Sequence, residues 1–131
     1  MKTVYLDNNA TTKVAPEVIE VMMPYFSELY GNPSSMHTFG GQVGRKIQAA
    51  REQAAELLGA NPEEIIFTSC GTESDNTAIR SALTTQPDKK HIIISRVEHP
   101  ASRALCAHLA PQGYRITELP VDKNGVLDLE N

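Results

Sequence analysis

The sequence predicts an α/β fold, a mainly parallel sheet with flanking helices. Three observations predict it. His91-Ile92-Ile93-Ile94-Ser95 is a short, continuous apolar run of the kind buried on both faces of a parallel sheet. Ile65-Ile66-Phe67-Thr68 is a second such run, and it turns at Gly71 into the helix-like stretch Ala78-Ile79-Arg80-Ser81-Ala82-Leu83. Strand-like and helix-like segments then alternate along the chain, which calls for βαβ crossovers and strands running in one direction.

Val4-Tyr5-Leu6 reads as a short strand, closed by the turn residues Asp7-Asn8-Asn9. Pro16 suits the first position of a helix, with Glu17 in its first turn. Ile19, Met22, Phe26 and Leu29 recur at helical spacing, and Pro24 inside that pattern should kink or split the helix. Gly31-Asn32-Pro33-Ser34-Ser35 is a loop. The clearest helix follows. Val43, Ile47, Ala50, Ala54 and Leu57 step by four, three, four and three, with charged residues opposite and Gly59 as the stop. Asn61-Pro62-Glu63-Glu64 turns into the Ile65 strand. Beyond His91–Ser95, Ala101, Leu105 and Leu109 mark another helix, and Tyr114, Ile116 and Leu119 a third strand. Asp122-Lys123-Asn124-Gly125 is a turn, and Asp128 reads as the N-cap of a further helix. A sheet of three strands with an open connection reads as the front of a longer protein.

The 131 residues suffice for one ordinary domain with a real core. A net charge of −4 without a basic patch argues against nucleic acid or an anionic membrane as partner. No apolar run approaches the roughly 20 residues of a membrane helix. Cys70 and Cys106 match no zinc spacing and read as free thiols in a reducing cytoplasm. The four histidines form no pair at ligand spacing, so no metal site is expected.

A strand that turns at glycine into a helix gathers free N–H groups at the positive end of the helix dipole. Gly71 and Thr72 occupy that point and make a candidate anion site. No Walker lysine and no G-x-G-x-x-G accompany them, so a nucleotide is not the indicated anion. Glu73 and Asp75 offer the alternative that the helix end is satisfied without any ligand. In parallel sheets ligands gather at the carboxyl ends of strands, and two loops leave those ends, Ser69–Thr72 and Arg96–Pro100. His99 in the second loop is therefore a candidate to face a ligand held at Gly71 and Thr72.

Tyr5-Leu6-Asp7-Asn8-Asn9-Ala10-Thr11-Thr12, Gly31-Asn32-Pro33-Ser34-Ser35 with His37, Phe67 through Asn76, and Val97-Glu98-His99-Pro100 closely resemble the cysteine desulfurases. Within them, Asn8-Asn9 and Ser69-Cys70-Gly71-Thr72 are most similar to the branch serving nitrogenase maturation. The resemblance implies a pyridoxal 5'-phosphate enzyme of the aspartate-aminotransferase fold type. It implies a homodimer that takes sulfur from L-cysteine, leaves L-alanine, and passes an enzyme persulfide to an iron–sulfur scaffold protein.

By that resemblance, Gly71 and Thr72 bind the cofactor phosphate, and His99 stacks on the pyridine ring and assists proton transfer. Residues 1–15 belong to a small domain near the substrate entrance. Residues 16–131 begin the cofactor-binding large domain, with the Gly31–Phe39 loop approaching the active site and dimer interface. The family's cofactor-bearing lysine, its aspartate for the pyridine nitrogen and its sulfur-carrying cysteine are expected beyond residue 131. Lys89 and Lys90, in a polar connection, do not match that lysine. Cys70 does not match that cysteine and reads as a small residue packing behind the phosphate loop. Cys106 reads as core. Two other readings stay open from the residues: a relative on the same fold, such as a selenocysteine lyase or an aminotransferase, or a non-catalytic phosphate-binding α/β module.

Overall fold

Prolines set the first two helices. In the computed structural model, which describes residues 3–127, Pro16 opens α1 (Pro16–Met22) and Pro24 opens α2 (Pro24–Ser27). The Pro24 ring cannot continue the preceding helix, so the apolar pattern is split as expected. Its stripe is not buried, however. Ile19, Met22 and Phe26 are exposed and Leu29 is half-buried. Val4–Leu6 joins no strand ladder, and the Asp128 helix start lies outside the described residues.

The chain divides into two compact units, Met1–Ile66 and Phe67–Asn131. The first is built on α3 (Thr38–Leu58), 21 residues long. His37 caps it, with Nδ1 accepting from the Gly40 N–H at 3.2 Å. Gly59 ends it at φ 65°, a left-handed conformation that favours glycine. The Ala60 N–H reaches the Ala55 carbonyl at 2.9 Å and the Gly59 N–H the Glu56 carbonyl at 3.3 Å, so two otherwise orphaned carbonyls are satisfied.

The buried face of α3 is rotated from the expected one. Gly40, Val43 and Ala55 are buried and Ile47, Arg51 and Ala54 half-buried, whereas Ala50 and Leu57 are exposed. A straight helix drifts by about 20° every seven residues. Val43, Ala50 and Leu57 are spaced by seven, so they slide toward one rim, and the covered arc runs through Arg51 instead. The Arg51 guanidinium donates to the Ile65 carbonyl and ties down the stretch after the 3₁₀ turn Pro62–Glu64. That turn is closed by Glu64, whose Oε2 accepts from the Asn61 N–H at 2.7 Å.

The second unit is a βαβ unit preceded by a helix. α4 (Gly71–Thr85) leads to β1 (His91–Ser95), which crosses through α5 (Pro100–Leu109) to β2 (Arg115–Leu119). The strands are parallel, with Ile92 opposite Ile116 and Ile94 opposite Glu118. The Arg96 N–H continues the pairing to the Leu119 carbonyl at 3.0 Å. Ala101, Leu105, Cys106 and Leu109 form the buried stripe of α5, at one-turn spacing. Ile65–Thr68, the expected first strand, is not part of the described sheet, which is two-stranded. Ile65 is extended, with φ −89° and ψ 123°. Its residues have strand character, but a ladder also needs a neighbouring strand, and none pairs with it among the described residues.

Candidate functional site

Cys70 stands at the N-cap of α4 in fully extended backbone, so the next three residues form the helix's first turn. Glu73, the third of them, turns back over the corner. Its Oε2 accepts from the Ser69 N–H at 2.7 Å and from the Ser69 hydroxyl at 2.6 Å. Those two bonds, the hydroxyl's first, hold the Glu73 carboxyl below its ordinary value. The acidic residue is thus engaged by Ser69 rather than by the N–H groups of the helix mouth. Ser74 and Thr68 close the other side of the corner through a 2.6 Å hydroxyl pair.

Gly71 and Thr72 remain open. The Gly71 N–H and the Thr72 hydroxyl have no hydrogen-bond partner among the described residues. A Cβ placed on Gly71 would meet nothing within 4 Å. The donor set is therefore an N–H and a hydroxyl at the positive end of a 15-residue helix, with no carboxylate bonded into it. That set fits a phosphate group.

His99 is the N-cap of α5, with Pro100 at the first helical position. Its Nδ1 accepts from the Ala101 N–H at 3.1 Å. Sequence reading missed this capping role, and the same holds for His37 on α3. The signal was available for His99, because proline at the first helical position marks the residue before it as a cap. Upstream, the Ser95 hydroxyl donates to Glu98 Oε1 at 2.9 Å and braces the loop between β1 and His99.

Helices α4 and α5 border one cleft. Thr72, Asn76 and Arg80 of α4 and Ala101, Ala104, Leu105 and His108 of α5 line this cleft of about 340 Å³. Thr72 follows Gly71 in the first turn of α4, and Ala101 follows His99 and Pro100 in the first turn of α5. Lys89 and Lys90 lie at the opposite, amino end of β1, and Lys90 Nζ sits 5.9 Å from the Tyr114 ring centroid.

The two cysteines differ in chemistry. Cys70 is exposed, and its thiol is held below the ordinary value, first by the Glu73 N–H. Cys106 is 1% exposed, and burial pushes its thiol up. Because a lowered pKa leaves thiolate present at lower pH, Cys70 should be alkylated by iodoacetamide at pH values where an ordinary thiol is slow. Cys106 should stay unmodified until the chain unfolds. Peptide mass mapping across a pH series checks this, and equal labelling of both thiols in the folded chain would contradict the arrangement. Among the described residues no cluster of histidine, cysteine or carboxylate side chains could hold a metal ion, and no helix is long and apolar enough to cross a membrane.

Residues 4–131 match the family model described as aminotransferase class-V. A cysteine desulfurase of Trichormus azollae is 62% identical over 130 residues, which are 99% of this chain and 32% of that protein. The chain thus spans about a third of the length of that relative. A solved structure titled NifS-like protein superposes with a TM-score of 0.85 at 40% identity, covering 94% of this chain and 34% of the other. Another, titled SspA in complex with cysteine, gives a TM-score of 0.76 at 37% identity, covering 83% and 32%. Four motifs in order, the glycine corner that opens α4 and a family match over nearly every residue lead to one conclusion: the chain belongs to the class-V aminotransferase family.

Proposed function

We propose that the protein carrying this chain is a cysteine desulfurase dependent on pyridoxal 5'-phosphate, removing sulfur from L-cysteine to give L-alanine and an enzyme persulfide. The observation that carries the reading is the 62% identity, over 99% of the chain, to a protein of that name. The neighbour solved with cysteine supports the substrate. In this reading the sulfur passes to an iron–sulfur scaffold protein, with nitrogenase maturation as its use. The enzyme works as a cytoplasmic homodimer. Residues 1–15 contribute to the small domain and 16–131 to the large one.

The chain's own residues supply the binding end of the site. Gly71 offers its N–H and Thr72 its hydroxyl to the cofactor phosphate, reinforced by the dipole of α4. Glu73, engaged by Ser69, does not compete for those donors. His99, fixed at the start of α5, faces the pyridine ring and handles a proton there. The bound cofactor supplies an electron sink for the carbanion formed on the amino acid. The lysine that holds it, the acid for its ring nitrogen and the sulfur-carrying thiol are assigned to the sequence beyond residue 131.

Replacing Thr72 with valine keeps the shape and removes the hydroxyl. A hydrogen bond to a charged oxygen is worth about 1.5–3 kcal/mol, so cofactor affinity should fall roughly 10- to 150-fold. Titrating pyridoxal phosphate into the apo form of the protein measures it, and unchanged affinity would remove Thr72 from the phosphate site. Alanine and sulfide production from L-cysteine tests the activity itself. Absence of both from the purified, cofactor-loaded protein would overturn the reading.

A further inference from the structure

We propose that the Ala101 backbone N–H selects the tautomer of His99, so that in the resting site the ring carries its proton on Nε2 and acts there as a hydrogen-bond donor, not as a base. This rests on His99 belonging to the proposed site and deepens its role. The Nδ1 atom accepts from Ala101 at 3.1 Å. A neutral imidazole has one bare nitrogen and one N–H, and the hydrogen bond made by one nitrogen fixes the state of the other. An Nδ1 that accepts from a backbone N–H carries no proton, so Nε2 carries it.

The consequence is a constraint on proton transfer. With Nε2 already protonated, the neutral ring can take up a further proton only at Nδ1. That proton displaces the Ala101 N–H and gives an imidazolium with both nitrogens protonated. The helix start then loses its cap and faces a cation at its positive end. For Nε2 to receive a proton, the ring must first hold its proton on Nδ1, which again requires the Ala101 bond to break. The first turn of α5 is in this way coupled to each proton the ring accepts. Ala101 acts as a positioning residue through its backbone.

The fold provides its own contrast. His108, two turns further along α5, accepts at Nε2 from the Gln112 amide at 2.9 Å, which leaves the proton on Nδ1. His37 Nδ1 accepts from the Gly40 N–H, the same arrangement as at His99.

The test is two-bond proton–nitrogen correlation on full-length, cofactor-loaded protein labelled with ¹⁵N-histidine, at a pH where the rings are neutral. His99→Asn identifies the His99 signals by their loss. A bare, accepting Nδ1 and a protonated Nε2 for His99, with the reverse for His108, is the expected result. A His99 ring protonated on Nδ1 overturns the proposal. Amide exchange at Ala101 gives a second measurement. Asparagine is a strong N-cap, so protection should persist in His99→Asn and fall in His99→Ala. Equal protection in wild type and His99→Ala would also overturn it. Neither readout depends on turnover, so a protein that makes no alanine would refute the proposed activity and leave the tautomer to be decided by the spectrum.

Discussion

His99→Ala in the protein carrying this chain should slow alanine formation from L-cysteine by about 10²-fold or more, while weakening cofactor binding much less. In the proposed reading the imidazole is the group that moves the proton. Gly71 and Thr72 provide binding donors alone. The substitution also removes the cap of α5, at a cost of about 1 kcal/mol in helix stability, so a slow variant could be slow for a structural reason. His99→Asn separates the two effects. Asparagine accepts from the Ala101 N–H in place of Nδ1 and restores the cap, but has no titratable ring. Loss of turnover in both variants assigns the effect to the imidazole. Recovery in His99→Asn would make His99 a structural cap, and near-native alanine production by His99→Ala would remove it from the chemistry altogether.

What could be read from the residues alone was what local chemistry decides. Pro16 and Pro24 start helices because a proline ring fixes φ and has no N–H to lose. Gly59 ends α3 because its φ of 65° suits glycine. The run at His91–Ser95 and the one ending at Leu119 became paired parallel strands, as the alternation with α5 demanded. The Gly71–Thr72 corner formed where an apolar run meets small polar residues.

What could not be read depends on partners remote in sequence. Ile65–Thr68 has strand composition, but a ladder is a property of two segments, and its own sequence names no partner. The orientation of α3 followed the same logic. Seven-residue spacing picked out Val43, Ala50 and Leu57, whereas Arg51 reaching the Ile65 carbonyl shows which face is covered. In the site, the free donors were legible from position, but the disposal of Glu73 was not. A carboxylate three residues into a helix can cap the helix or cancel its field, and only the bonds to Ser69 decide. The capping bonds of His37 and His99 were not legible because a bare ring nitrogen accepts from a helix N–H only when the backbone brings the two together.

Gly40→Ala should destabilise the fold, while the same change one residue later, Gly41→Ala, should stabilise it. Both sit in the first turn and a half of α3, where replacing glycine with alanine gains up to about 1 kcal/mol in helix propensity. The surroundings set the sign. A Cβ on Gly40 would strike the Asn32 carbonyl oxygen and lie 2.7 Å from Ser35 Cβ, whereas on Gly41 the nearest atom is the mobile tip of Arg45 at 3.7 Å. The loop facing Gly40 cannot easily withdraw. The Ser34 N–H donates to Asn32 Oδ1 at 2.9 Å and the Ser35 N–H to the Asn32 carbonyl at 3.1 Å. Moving the helix instead would strain the His37 cap, since its donor is the Gly40 N–H itself. Overpacking of this kind costs typically 1–3 kcal/mol and more when backbone must shift, which exceeds the propensity gain. The propensity gain is common to both, so the two variants should differ by about 1–3 kcal/mol in unfolding free energy, with Gly40→Ala the weaker. Urea unfolding of the protein carrying each substitution measures the difference. Equal midpoints would mean that the Asn32–Ser35 loop does not rest against the start of α3.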